Sequence, residues 1–181
     1  MAHVVRVARM SAQLARAHGL DPETARLAGL LHDLARLFPA ERLLEESARR
    51  AIPIGAFERA NPIVLHASVG AELAREQFGV TDAGVLSAIR KHTLADAVMS
   101  PLDAVVYLAD GLEPGRAFPE RAALATLAFH DLEGAMRGLL ASSIAYMTAR
   151  GFTVAPQTLG AARRYGAGSP PSTAEKEHCS A

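Results

Sequence analysis

Histidine and aspartate side chains recur in this chain beside strongly apolar segments. His32 and Asp33 are adjacent within GLLHDLA, and Asp110 directly follows VVYLA. Burying an imidazole and a carboxylate without partners is unfavourable, because both lose their hydration. A bound metal ion removes that cost, since neutral imidazole and carboxylate are natural ligands of Fe, Mn, Zn or Mg. The pattern therefore indicates a metal site at the wall of a pocket.

The number of these residues predicts a site for two ions. A single ion would need four ligands, which the chain supplies as His3, His32, Asp33 and Asp110. Two more histidines, His66 and His92, would supply a second ion, with Asp33 between the two. Ions a few ångströms apart are suited to phosphoryl transfer, because together they neutralise the charge that develops on the phosphate.

Small residues stand one helical turn from several of these positions. Ala28 and Gly29 precede the His32 pair, Gly70 follows His66, and Ala88 precedes His92. We interpret these small side chains as space for the ions and a ligand.

The elements that position these residues are predicted to be helices. Apolar residues recur at helical spacing nearly throughout, and no segment reads as a strand. Asp21, Asp82, Ser100 and Asp131 have the sequence context of helix N-caps. The predicted fold is an all-α single-domain bundle with the metal site in its core, over residues 1–160, followed by a disordered tail over 165–181. The predicted helices span about 4–18, 22–37, 39–50, 63–78, 82–93, 101–110, 120–129, 132–150 and 156–164.

The composition argues against several classes of binding partner and several cellular locations. The 19 acidic and 19 basic residues give a net charge of zero, which argues against general binding of nucleic acid or of a membrane surface. Cys179 is the single cysteine, and neither a membrane-length apolar run nor a signal pattern is present. We therefore expect a cytoplasmic protein. His18, the pair His130-Asp131, His178 and Cys179 are assigned no chemical role.

Several blocks together resemble the HD superfamily of metal-dependent phosphohydrolases, and within it the YqeK type, the symmetrical bis(5'-nucleosyl)-tetraphosphatases. The resemblance covers roughly residues 3–150. Its blocks are HVVRVA (3–8), LAGLLHDLAR (27–36), LHASVGAEL (65–73), VLSAIRKHT (85–93), MSPLDAVVYLADGLEPGRAFP (99–119) and DLEGAM (131–136).

This resemblance implies an activity and a set of site residues. The substrate would be a small dinucleoside polyphosphate, diadenosine tetraphosphate, cleaved to two ADP by a hydroxide that bridges two divalent or mixed-valence ions. Iron is the implied metal, with Mn, Zn and Mg as alternatives. Asp33 and Arg36 would be catalytic, and Glu113 would orient Arg116. The implied metal ligands are His3, His32, Asp33, His66, His92 and Asp110, and the implied substrate contacts are Arg36, Lys91, Thr93 and Arg116.

Two departures from the family pattern leave other functions open. The family usually has Thr-Gly where this chain has Leu94-Ala95, and relatives carry further helix before the residue that matches His3. We therefore expect that the natural chain begins earlier. The alternatives are another HD-type nucleotide phosphohydrolase, either a 5'-nucleotidase or a phosphodiesterase, and a non-catalytic module that binds nucleotide or metal. A homodimer is also left open.

Overall fold

The computed structural model describes residues 2–168 and is built from helices. Over this part of the chain it contains ten α-helices, one 3-10 helix at Pro62–Leu65 and no strand. The all-α class predicted from the sequence is confirmed. The α-helices are α1 (Ala2–Ala17), α2 (Pro22–Leu31), α3 (Ala40–Arg49), α4 (Ala56–Ala60), α5 (His66–Phe78), α6 (Ala83–Lys91), α7 (Pro101–Leu112), α8 (Arg121–Ala128), α9 (Leu132–Ala149) and α10 (Pro156–Tyr165).

The four predicted N-caps begin four of these helices. The carboxylates of Asp21, Asp82 and Asp131 accept hydrogen bonds from backbone N–H groups three residues ahead. The Ser100 hydroxyl accepts the backbone N–H of Asp103, and the Asp103 carboxylate accepts the backbone N–H of Ser100 at 2.8 Å. Each cap satisfies a donor that the first turn of a helix otherwise leaves unpaired.

The second helix ends six residues earlier than the sequence predicts. It stops at Leu31, and a series of tight turns continues to residue 37. In these turns Leu34 donates its N–H to the carbonyl of Leu31, and Arg36 donates to Asp33, three residues back instead of four. Because apolar spacing hardly distinguishes three from 3.6 residues per turn over such a short segment, the sequence pattern missed this change.

Glycine allows the first two helices to pack closely. A Cβ atom at Gly29 would lie 2.8 Å from the Cα of Ala8 and 2.9 Å from the Oγ of Ser11. The small residue before His32 therefore makes room for α1, and our interpretation of Gly29 as space for an ion is wrong. The close approach brings His3, near the start of α1, beside His32 at the end of α2.

The core lies between α1, α7 and α9, with smaller clusters under α2, α5 and α6 and under α3. In the largest cluster Leu14, Leu108 and Leu140 are fully buried. Helix α9 contributes an apolar face to this core, since Met136, Leu139, Leu140 and Ile144 are buried within the chain.

The final helix extends into the segment predicted as a tail. Tyr165 is the last residue of α10, and Ala167 is buried against the main core. Residues 169–181 of the predicted tail, with His178 and Cys179, lie outside the described residues. Between residues 2 and 168, no helix combines the length and apolar character needed to cross a membrane.

Candidate metal centre

Five helices bring the six predicted metal ligands to one cavity. His3 and Asp110 lie on α1 and α7, and His66 is the first residue of α5. His32 and His92 are the C-cap residues of α2 and α6, and Asp33 lies in the turn after α2. The cavity has a volume of about 380 Å³ and is lined by His3, Asp33, Arg36, Ile63, Val64, His66, His92, Thr93, Asp110 and Arg116.

The two carboxylate oxygens of Asp33 face different pairs of histidines. Oδ1 lies 3.3 Å from Nε2 of His66 and 3.6 Å from Nε2 of His92. Oδ2 lies 3.5 Å from Nε2 of His32 and 3.8 Å from Nε2 of His3. Asp33 is therefore placed as a bridge between two imidazole pairs.

The fourth donor of the His3 pair is Asp110. Its Oδ1 lies 3.1 Å from Nε2 of His3 and 3.9 Å from Nε2 of His32. The donor atoms of His3, His32 and Asp110 all lie within 4.8 Å of one another, as do those of His32, Asp33 and His92. The first group together with Asp33 is the four-ligand set expected for a single ion.

Backbone carbonyls fix the orientation of three imidazoles. The Nδ1–H groups of His32 and His92 donate to the carbonyls of Gly29 and Ile89, each at 2.7 Å. His66 donates in the same way to Ile63. Because Nδ1 carries the proton, Nε2 presents its lone pair to the cavity, which is the tautomer that metal ligation requires.

The short distances between the paired ring nitrogens favour a bound cation over a shared proton. Nε2 of His66 lies 3.2 Å from Nε2 of His92, and Nε2 of His3 lies 3.3 Å from Nε2 of His32. Two ring nitrogens at such a distance share at most one proton, whereas a cation satisfies both lone pairs. Mixed imidazole and carboxylate donors are typical of Fe, Mn and Zn sites.

The pKa values of His32 and Asp33 also favour metal binding. Burial lowers the pKa of His32 to about 4, and any proton charge on His92 would lower it further, so this imidazole is neutral at pH 7. Burial alone would raise the pKa of Asp33, but the contacts with His66 and His92 outweigh it and hold the pKa well below its usual range. The centre thus presents a neutral imidazole and an ionised carboxylate, the forms that bind metal.

His3 and Asp110 form the more exposed side of the centre. Burial would raise the pKa of Asp110, but the contact with His3 and the charges of His92 and Arg116 lower it. The same contact with Asp110 is the main cause of the raised pKa of His3. Arg116 donates from Nε to the backbone carbonyl of Asp110 at 2.9 Å and from its terminal nitrogen to the Asp110 carboxylate.

The buried carboxylate of Glu113 contacts His3, whereas the sequence analysis gave it a different partner. Glu113 is 1 % exposed and accepts hydrogen bonds from Nδ1 of His3, from the Arg6 guanidinium and from the N–H of Gly115. The Arg6 contact is the main reason that its pKa is lowered to about 2. Glu113 therefore orients His3, and the prediction that it orients Arg116 is wrong. The i, i+3 spacing of His3 and Arg6 on α1 was the available signal.

The structure places three of the four predicted substrate contacts at the cavity and the fourth, Lys91, outside it. Arg36 and Arg116 line the cavity, and the Arg36 guanidinium makes no hydrogen bond or ion pair with the described residues. The hydroxyl of Thr93 lies 3.2 Å from Nε2 of His66 and 3.0 Å from Nε2 of His92. Lys91 does not line the cavity, because its ammonium donates to the Val98 carbonyl at 2.7 Å and to Asp103 at 2.9 Å.

Comparison with known proteins identifies this arrangement. Residues 1–115 match the sequence model of the HD domain. The chain belongs to the HD domain family. It is 35 % identical over 156 residues to a symmetrical bis(5'-nucleosyl)-tetraphosphatase of Bacillus subtilis, covering 86 % of this chain and 83 % of that protein. It is 33 % identical over 157 residues to the enzyme of the same name from Halalkalibacterium halodurans, covering 87 % and 83 %.

A solved structure extends the likeness to the fold. The crystal structure of a predicted HD superfamily hydrolase involved in NAD metabolism, from Clostridium acetobutylicum, superposes with a TM-score of 0.88 at 32 % identity. The match covers 91 % of this HD domain protein and 87 % of that chain. The resemblance stated from the sequence blocks is confirmed.

The second His-Asp dipeptide of this HD domain protein serves a structural purpose. Asp131 is the N-cap of α9 and accepts the N–H of Gly134 at 2.8 Å, and His130 is exposed. His18 holds α1 against α8 through a 2.7 Å hydrogen bond between its Nε2 and the carbonyl of Ala128.

Proposed function

We propose that this HD domain protein hydrolyses dinucleoside tetraphosphates symmetrically, with diadenosine tetraphosphate giving two ADP. The observation that carries the proposal is the placement of Asp33 between two imidazole pairs, in a cavity that also contains two arginines. Relatives that span most of this chain bear the name symmetrical bis(5'-nucleosyl)-tetraphosphatase, which supports the substrate and the position of cleavage.

In this proposal the six donors hold two metal ions. His3, His32 and Asp110 would bind one ion, His66 and His92 would bind the other, and Asp33 would contact both. When bound, the ions activate a water molecule as the nucleophile and neutralise charge on the phosphate under attack. Iron is the metal that the family resemblance implies, and the donor set also fits Mn and Zn.

The arginines of the cavity would bind the polyphosphate. Arg36 is exposed at the cavity wall, and its guanidinium matches the geometry of two phosphate oxygens. Arg116 holds Asp110 and stands beside the same cavity, so it can contact a phosphate next to that carboxylate. Thr93 lines the same cavity beside His66 and His92, so its hydroxyl would contact the substrate. Lys91 is left out of the proposed contacts, because Asp103 neutralises its charge outside the cavity.

A small-molecule substrate agrees with the dimensions and charge of the protein. The cavity volume of about 380 Å³ lies in the range of sites for single small ligands. The net charge of zero provides no extended basic surface for a nucleic acid backbone. The positive charge that a tetraphosphate needs is local, from Arg36, Arg116 and the two ions.

The test is incubation of the iron-loaded protein with diadenosine tetraphosphate, followed by chromatography of the nucleotide products. We expect ADP alone. AMP together with ATP would contradict symmetric cleavage, and an unchanged substrate would contradict the proposed activity. Substrates of the alternative enzymes, a nucleoside monophosphate and a cyclic nucleotide, should be turned over far more slowly.

The two His-Asp dipeptides provide a matched control. Asp33→Asn keeps the size of the side chain but removes the shared charge, so we expect turnover to fall by about 100-fold or more, with loss of bound metal. Asp131→Asn makes the same change at an N-cap, where asparagine also functions, and should retain activity and metal. Equal activity of the two variants would remove Asp33 from the proposed mechanism.

A further inference from the structure

A second cavity lies on the other side of the loop that carries Glu113 and Arg116. It has a volume of about 430 Å³ and shares no lining residue with the metal centre. Helix α1 forms one wall, and the α7–α8 loop and α8 form the other. It is lined by Arg6, Arg9, Met10, Gln13, Leu112, Pro114, Arg121, Ala125 and Phe129.

The charge around this cavity is positive and incompletely balanced. Three of its nine lining residues are arginines, and none is acidic. The charge of Arg6 is balanced by Glu113, but Arg9 and Arg121 form no ion pair with any described residue. Arg121 donates one hydrogen bond, to the carbonyl of Leu112 at 2.8 Å, which leaves its other N–H groups available. Two guanidinium groups at one cavity favour an anion.

The remaining lining is mostly apolar. Leu112 is fully buried and Met10 is 6 % exposed, so these two side chains form a fixed floor. Phe129 and Ala125 are partly buried and pack against the same core. An aromatic ring and a thioether are favourable neighbours for a flat heterocycle. A simple inorganic ion would leave this apolar surface uncovered.

We propose that this cavity is a second ligand site, which binds a nucleoside diphosphate. Arg9 and Arg121 contact its phosphates, because guanidinium groups bind phosphate oxygens in pairs. The base lies against Met10 and Phe129. The volume of about 430 Å³ is within the range of small-molecule sites and is slightly larger than that of the metal centre.

The test measures ADP binding by calorimetry on the metal-loaded protein and on its Asp33→Asn variant. The Asp33→Asn change removes the charge that both proposed ions need, so ADP binding at the metal centre should weaken, and the Arg9 variants then identify the site of the binding that remains. We expect the variant to bind one ADP per chain, and the addition of Arg9→Glu to weaken this binding by at least about 10-fold. Arg9→Gln, which removes the charge without reversing it, should have a smaller effect in the same direction.

A charge-matched variant and a second probe complete the experiment. Arg163 is exposed on α10, outside both cavities and without an ion pair among the described residues, so Arg163→Glu should leave ADP binding unchanged. Inorganic pyrophosphate supplies the charge without the base and should bind at least about 10-fold more weakly than ADP. The proposal is overturned if the Asp33→Asn variant binds no ADP at millimolar concentration, if Arg163→Glu weakens binding as much as Arg9→Glu, or if pyrophosphate binds as tightly as ADP.

Discussion

At the scale of single residues, Glu113 contributes to the metal centre from behind its ligands. It contacts Nδ1 of His3 at 3.1 Å, on the opposite side of the ring from Nε2. A carboxylate in this position fixes the ring and increases its basicity as a ligand. Arg6 and the N–H of Gly115 hold the carboxylate in turn. The orientation of the most exposed histidine in the centre therefore depends on the ion pair between the buried Glu113 and the partly exposed Arg6.

Glu113→Gln should weaken metal binding on the His3 side of the centre. The amide keeps the size of the side chain but loses the charge that Arg6 and His3 share, so we expect metal affinity there to fall by about 10- to 100-fold. Competition with a graded chelator measures this change. Glu133→Gln is the control, since Glu133 is 71 % exposed and, between residues 2 and 168, forms an ion pair with Arg164 alone. Similar metal affinities in the two variants would contradict the orienting role of Glu113.

Residue types and spacing predicted which six side chains meet at the metal-centre cavity and that Asp33 stands between the His3–His32 and His66–His92 pairs, but not the geometry of the contacts. Nothing in the sequence says that Oδ1 of Asp33 faces His66 and His92 while Oδ2 faces His3 and His32, because this depends on how the helices pack. The prediction that Lys91 contacts the substrate did not account for the direction of its side chain. Its position beside His92 is real, but a helix turns about 100° per residue, so the neighbouring side chain points to Asp103 instead.

At the scale of helices, five helix ends share one backbone arrangement. Helices α1, α5, α9 and α10 are followed by a glycine with a positive φ, at Gly19, Gly79, Gly151 and Gly166. Helix α3 is followed by Ala51 with φ of 53°, where Ile52 donates its N–H to the carbonyl of Ser47. This hydrogen bond belongs to the Schellman motif, which favours glycine at the left-handed position. Ala51 is therefore strained.

Ala51→Gly should stabilise the protein. Relief of the left-handed strain is worth about 1–2 kcal/mol, and the greater freedom of glycine in the unfolded chain offsets about 0.4–1 kcal/mol of it. We expect the free energy of unfolding, measured by urea denaturation, to rise by about 0.5–1 kcal/mol. Ala48→Gly makes the same change inside α3 and should lower it by about 1 kcal/mol. Destabilisation by both changes would contradict the strain at Ala51.

Ala95 is the second non-glycine residue with a positive φ, at 57°. It stands where the family pattern has glycine, a residue that adopts this left-handed conformation without strain. Because Ala95 is 3 % exposed and packs in the main core, its methyl group offsets part of the strain. The sequence pattern gave no sign of this conformation, which depends on the turn after α6.

At the scale of the whole molecule, the metal centre makes the fold sensitive to acid. His32 connects α2 to the centre and is buried, with a pKa of about 4 in the folded protein against about 6.5 when unfolded. Between these two values the unfolded chain binds a proton that the folded protein does not. Stability contributed by His32 is therefore present above pH 6.5 and is lost as the pH falls toward 4.

Other groups of the centre add to this dependence or oppose it. The lowered pKa values of Asp33 and Asp110 act in the same direction, since their contribution is also lost in acid, at lower pH. The raised pKa of His3 acts in the opposite direction, because its contribution is present below pH 6.5 and is lost as the pH rises through the raised value. The imidazole of His3 is 27 % exposed, so water screens this opposing effect.

Metal-free protein should consequently lose stability between pH 7 and pH 5, and His32 should account for much of the loss. The full contribution of His32 is about 3 kcal/mol, of which about 2 kcal/mol falls within this interval. Urea denaturation after removal of metal with EDTA measures it. His32→Asn keeps a donor for the carbonyl of Gly29 but does not titrate, so its unfolding free energy should change much less with pH. His130→Asn, at an exposed position, should retain the dependence of the unchanged protein. If His32→Asn has the same pH dependence as His130→Asn, the acid sensitivity comes from elsewhere in the molecule.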